Sequence, residues 1–212
     1  MLAEELRRIA GPALRELTGH PFWSGLKDGS LPGAALERFV QQDTSHLLPA
    51  FARILLRCAA MTRDDGHALL LAHAATATIE ARDRLRREFT ALAPGFGIPL
   101  PSTTAPVRRS TREQCDFYAA AAARSLAAGI GAVLPMVWFN LPLSDDLRDR
   151  QAPGGCYGGW IAAYHPGDGF RAVVPAFLDL AEQVGEQRAV VENFAVGVRY
   201  ELAFAEAAWS GG

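Results

Sequence analysis

Chemistry in this 212-residue chain has to be sought among polar side chains that fall on apolar stripes. In RFVQQDTSHLLPAF, the apolar residues Phe39, Val40, Leu47, Ala50 and Phe51 mark one helical stripe. Asp43 falls on that stripe, three residues after Val40 and four before Leu47. His46 follows one turn later on the same face. A carboxylate placed there is costly unless a partner or a ligand satisfies it. Two readings stay open: a structural pair in which Asp43 fixes the His46 tautomer, or an acid that grips a ligand. Glu201 lies in NFAVGVRYELAFAEAAW, beside the stripe of Phe194, Val198, Leu202, Ala205 and Trp209. Most helical glutamates are solvated, so a rim position paired with Arg199 or another arginine stands beside any catalytic role.

Tyr164 ends GGWIAAYH and is one of four tyrosines. It reads either as a core aromatic with its hydroxyl at the surface or as a pocket donor. Met136, Trp138 and Asn140 share the apolar segment LPMVWFN, where the single amide needs a partner. Glu80 and Glu113 are lesser candidates, each readable as a solvated or capping residue. Asp43, His46, His73, Glu80 and Glu201 could converge in a bundle core and hold a metal. However, no glutamate is followed three residues later by histidine, so the paired motif of di-iron bundles is missing and no metal is expected. No nucleophile elbow supports a Ser-His-Asp triad.

The elements that must position these residues are helical. Ala, Leu, Arg and Glu fill long segments with spacings of three and four, and β-branched alternation is nearly absent. The pattern predicts helices over residues 2–17, 33–60 with an interruption at Pro49, 66–93, 110–128, 169–184 and 186–208. HPFWSGLKDGSLPG is expected to be a loop, and APGFGIPLPSTTAPVRR a proline-rich connector. A break is expected at Gly129–Gly131, before a buried apolar helix, with a polar turn at Asp145–Arg150 and a loop over QAPGGCYGGW. The whole chain, residues 1–212, reads as a single all-α domain of about seven helices.

Composition narrows the function classes. Hydrophobic residues make up 50% of the chain, and 21 Lys+Arg against 23 Asp+Glu leave a formal charge of −2. That balance removes the electrostatic reason to expect nucleic acid or an anionic membrane as partner. Cys58, Cys115 and Cys156 are odd in number and widely spaced, which argues against a disulfide framework. The opening MLAEELRRIAGPALREL has no apolar signal region, and no uninterrupted apolar run of membrane-spanning length is expected. A soluble, cytoplasmic protein is the expectation.

Five segments, in order, resemble the TenA/THI-4 family of thiaminase II-like proteins. HPFWSGLKDGSLP with FVQQDTSHL is similar to the family's "HPF … G.L … F..Y..QD..YL" opening, and IEARDRLRREF to its "YE….HREF" helix. GIGAVLPMVWF resembles "..A.LPC.W.Y", YGGWIAAYHPGDGF resembles "Y..WI..Y....F", and ENFAVGVRYELAFAEAAW resembles the closing "F..…YE..FW..AW". The resemblance runs from His20 to Trp209.

It implies an all-α, haem-oxygenase-like fold without a cofactor, assembled as a homo-oligomer (tetramer or dimer), with a pocket that hydrolyses small aminopyrimidines related to thiamin. On that footing Asp43 falls on the aspartate that grips the aminopyrimidine, Glu201 on the general acid/base, and Tyr164 on a pocket tyrosine. A carboxylate suits an exocyclic amine beside a ring nitrogen, because it can accept from both. Departures accompany the match. The family's nucleophilic cysteine falls on Met136, whose thioether cannot become a thiolate. Pocket tyrosines fall on His46, Asn140 and Glu113. A cysteine-less branch of the family exists and relies on carboxylates. Three readings remain: a cysteine-independent hydrolase in which Glu113 or His46 activates water, the same fold with a changed substrate (metal-dependent oxygenases included), or a binder without turnover.

Overall fold

The computed structural model describes residues 1–98, 100 and 105–211. Among these residues ten α-helices form and no strand. They are α1 (Leu2–Gly19), α2 (Pro21–Asp28), α3 (Gly33–Gln42), α4 (Leu48–Met61), α5 (Asp65–Leu92), α6 (Arg109–Arg124), α7 (Leu126–Arg150), α8 (Gly158–Tyr164), α9 (Val173–Gln183) and α10 (Gln187–Ser210). Asp64 caps α5, its carboxylate accepting from the His67 N–H at 2.8 Å. Part of the expected connector after α5 is the 3₁₀ turn Ala93–Phe96, and its residues 99 and 101–104 lie outside the described residues.

Three local expectations are corrected. The stretch after residue 20, read as a loop, contains α2. Its punctuating residues are caps: His20 Nδ1 accepts from the Phe22 N–H at 3.2 Å, Pro21 opens the helix, and Gly29 closes it at φ 82°. The break expected at Gly129–Gly131 falls earlier, at Ser125, whose hydroxyl caps α7 through the Ala128 N–H at 3.2 Å. Residues 145–150, read as a turn, are the last turns of α7.

The glycines of α7 serve packing instead. A Cβ at Gly131 would collide with the Val190 carbonyl of α10. One at Gly197 of α10 would come within 2.8 Å of the Ala132 carbonyl and 2.9 Å of Pro135. Their absence lets the two backbones approach closely, so Met136 and Asn140 on α7 face the same space as Glu201 on α10. Helix α7 is long and apolar enough to cross a membrane by length and composition, contrary to the sequence expectation. However, 67% of its most apolar window is buried in the fold, which makes it a core helix.

Pro49 interrupts the 33–60 segment as expected, but as a π turn in place of a simple kink. Residues Asp43–Leu47 form that turn, in which the Leu48 N–H bonds the Asp43 carbonyl five residues back. A proline ring clashes with the carbonyl four residues before it, and widening the turn relieves the clash.

Candidate active site

A cavity of about 370 Å³ lies between α5, α7, α10 and the π turn. That is at the small end of the range for small-molecule sites. Its walls are mostly apolar, and Asp43, Asn140, Tyr164 and Glu201 place polar atoms in it beside Met136.

The π turn decides which polar group faces the cavity. Residues 41–46 read Gln-Gln-Asp-Thr-Ser-His. Gln41 donates to Ser45 Oγ at 3.3 Å, and the Gln42 amide donates to the Pro106 carbonyl at 3.1 Å while accepting from the Arg108 N–H at 2.8 Å. Thr44 donates to the Val40 carbonyl at 2.7 Å, and His46 Nε2 lies 3.0 Å from the Ala105 carbonyl oxygen. Asp43 alone keeps its side chain without a hydrogen bond among the described residues, although it is only 5% exposed. Burial, then the neighbouring Glu201 carboxylate, pushes Asp43 up to about 8. An empty site therefore holds Asp43 protonated at neutral pH, and a basic ligand offering donors can take that proton.

Glu201 is enclosed by protein and keeps part of its surface open to the cavity. Gln114 Nε2 donates to its Oε1 at 3.0 Å, and the Tyr118 hydroxyl donates to the same oxygen at 3.3 Å. Gln114 Nε2 also reaches the Tyr118 oxygen at 2.9 Å. No protein donor reaches Oε2 among the described residues. Burial raises Glu201 to about 7, against the lowering effect of the Tyr118 and Gln114 bonds. A carboxyl group half protonated at neutral pH can both donate and accept a proton. The alternative rim position paired with Arg199 does not occur, since Arg199 points away on the exposed face.

Tyr164 stacks on Trp160 with ring centres 5.2 Å apart and touches Trp23 at 5.4 Å. The ionisation of the Tyr164 hydroxyl is raised far above its ordinary range by burial and by Asp43 and Glu201, against a lowering effect of the neighbouring Asn140. The Asn140 Oδ1 is buried without a partner. It is an acceptor left for a ligand or a water to satisfy. Two nominated residues lie elsewhere. Glu113 is on the outer face of α6, its side chain 48% exposed and ion-paired to Arg109 at 2.7 Å. The residue of α6 that turns inward is its neighbour Gln114. His46 does not line the cavity and does not pair with Asp43, because the π turn carries it onto the Ala105 carbonyl. Neither can activate a water in the cavity.

Sequence reasoning missed Gln114 and Tyr118. Their spacing of four on the buried stripe of Thr111, Tyr118, Ala121 and Ala122 was the available signal. His73 and Glu80 both line the cavity on α5, but no group of three metal-ligating side chains meets among the described residues. None of the three cysteines lines the cavity, and burial raises the Cys58 and Cys115 thiols to about 11.

Residues 7–209 match the TENA/THI-4/PQQC family. The chain belongs to that family. It is 30% identical over 208 residues to an aminopyrimidine aminohydrolase of Bacillus subtilis, covering 95% of this chain and 87% of the relative. A TenA homologue from P. horikoshii superposes with a TM-score of 0.82 at 22% identity over 100% of both chains. A Shewanella denitrificans domain with a heme oxygenase-like fold gives 0.71 at 13% identity, covering 100% of this chain and 93% of that one. The fold is thus all-α, TenA-like and haem-oxygenase-like.

Proposed function

We propose that the protein hydrolyses thiamin-related aminopyrimidines, converting a 5-aminomethyl or formylaminomethyl pyrimidine to the hydroxymethyl compound without a cysteine nucleophile. The observation that carries this reading is Asp43, the unbonded member of an otherwise fully bonded polar run, which lines the same cavity as Glu201. The family membership and the B. subtilis relative point to the same substrate class.

An aminopyrimidine presents a basic ring nitrogen beside an exocyclic NH₂. The ring nitrogen takes the Asp43 proton, and the resulting carboxylate then accepts from both ring N–H and amine in a charge-assisted pair. Tyr164 and the Asn140 oxygen border the ring. At the exocyclic carbon the C–N bond breaks and a C–O bond to water forms. Glu201 gives its proton to the departing amine and recovers one from the attacking water, so it ends as it began. Gln114 and Tyr118 hold the Glu201 carboxylate in place through Oε1, which leaves Oε2 for that transfer. Met136 contributes bulk and no bond to carbon.

The test is incubation with 4-amino-5-aminomethyl-2-methylpyrimidine and chromatographic detection of the hydroxymethyl product and ammonia. Turnover that survives thiol alkylation supports the reading. Tight binding with no product would instead favour a binder without turnover, the reading that Met136 at the nucleophile position also suggests.

A further inference from the structure

The mechanism uses Asp43 but does not say what holds it. Its own side chain makes no bond, so its place depends entirely on the turn that carries it. A π turn is a rare form of helix and needs support from outside its own backbone. That support comes from α5, outside the cavity wall. Arg86 Nε donates to Thr44 Oγ1 at 3.0 Å, and its Nη2 donates to Ser45 Oγ at 2.9 Å. The two hydroxyls belong to the two residues that follow Asp43. Thr44 passes the restraint on by donating to the Val40 carbonyl at 2.7 Å, and Ser45 is held on its other side by Gln41 at 3.3 Å. A planar fork with fixed donor directions can set two adjacent hydroxyls at once, which a lysine ammonium cannot do.

We propose that Arg86 is the positioning residue for Asp43: by clamping Thr44 and Ser45 it fixes the π turn that keeps the Asp43 carboxyl in the cavity and out of solvent. The inference rests on Asp43 being the ligand-facing acid. Arg86 touches neither Asp43 nor the cavity and acts through the backbone geometry of the turn.

Position and charge have opposite signatures. If Arg86 acted by its charge, removing it would raise the ionisation of Asp43. If it acts by position, removing it lets the carboxyl reach water, and the ionisation falls toward the ordinary aspartate range. The experiment follows the Asp43 carboxyl by carbon-13 NMR titration in the ligand-free protein. It compares wild type, Arg86→Leu, Arg86→Lys and Thr44→Val/Ser45→Ala, the last keeping the arginine and removing its acceptors. The expected result is a downward shift of a unit or more in Arg86→Leu and in the hydroxyl double variant, with Arg86→Lys resembling Arg86→Leu despite its charge. An unchanged or upward shift overturns the proposal, and the double variant decides it should Arg86→Leu fail to fold.

A second arm measures the affinity for 4-amino-5-hydroxymethyl-2-methylpyrimidine by calorimetry. Arg86→Leu should weaken binding at least tenfold in the wild-type background and less than twofold in an Asp43→Asn background. Equal losses in both backgrounds would mark Arg86 as merely structural and sink the idea. Should wild type bind no pyrimidine, the proposed substrate fails while the titration still decides Arg86.

Discussion

At the scale of the residue, two of the acids that line the cavity, Asp43 and Glu201, divide the work by their surroundings. Glu201 receives two hydrogen bonds and Asp43 none, yet burial raises both. Glu201→Gln should lower kcat by ~10²–10⁴-fold with a smaller change in KM, as expected for loss of a general acid/base. A steady-state comparison on the aminomethyl compound checks this, and an unchanged kcat would remove Glu201 from the chemistry. Because the proton-donating form is the one that expels the amine, kcat in the wild type should decline as pH rises through about 7. Glu113→Ala, on the outer face, should leave turnover within twofold and stability within ~0.5 kcal/mol, since exposed ion pairs contribute little. Types and spacing singled out Asp43, Glu201, Tyr164, Met136 and Asn140, and the family resemblance chose a pocket role for them over a core or solvated one. Glu113 and Gln114 differ by one position, and only the helix phase of α6 tells which of them turns inward.

At the scale of the element, the close crossing of α7 and α10 brings three site residues to one cavity. Gly197→Ala would press a methyl group against the Ala132 carbonyl and Pro135. It should cost ~1–3 kcal/mol of stability, typical of overpacking, and should also lower turnover by displacing Glu201 one turn away. Chemical denaturation alongside the activity assay separates the two effects. The long helices and their apolar faces were legible because hydrophobic periodicity survives wherever one side packs on a core. The π turn was not, because an extra residue per turn leaves no mark on composition and Pro49 announces only that something must give. Helix α2 was hidden for a different reason. Its eight residues are bounded by His20, Pro21 and Gly29, which look like loop punctuation until their backbone roles as caps are known.

At the scale of the whole molecule, the cavity lowers the stability of the empty protein in order to be ready for ligand. Asp43 and Glu201 hold protons in the folded state at pH values where the unfolded chain has lost them, between their ordinary values of 3.8 and 4.5 and the raised values of about 8 and about 7. Folding then takes up protons, so stability falls as pH rises across that window and levels off above it. Thermal denaturation at pH 5 and pH 8.5 should show the loss in wild type. Asp43→Asn should reduce it and stabilise the empty protein at pH 8.5 by on the order of 2 kcal/mol. Ligand should oppose the same cost: at ~100 times its dissociation constant a bound pyrimidine adds ~2.7 kcal/mol, or roughly 5–11 °C for a chain of this size. The all-α class was legible in the helical periodicity, and the family match over residues 7–209 in five motifs in order, whereas the membrane-like length of α7 required its burial to be interpreted.

The most direct test is calorimetric titration of 4-amino-5-hydroxymethyl-2-methylpyrimidine into wild type and Asp43→Asn at pH 7. Saturable binding to wild type, with proton transfer visible as a dependence on buffer ionisation heat, and an affinity weakened at least tenfold but still measurable in Asp43→Asn is the predicted result. Equal affinity for the two proteins would contradict the account, because Asp43, the buried acid of the cavity that makes no hydrogen bond, would then have no part in holding the ring.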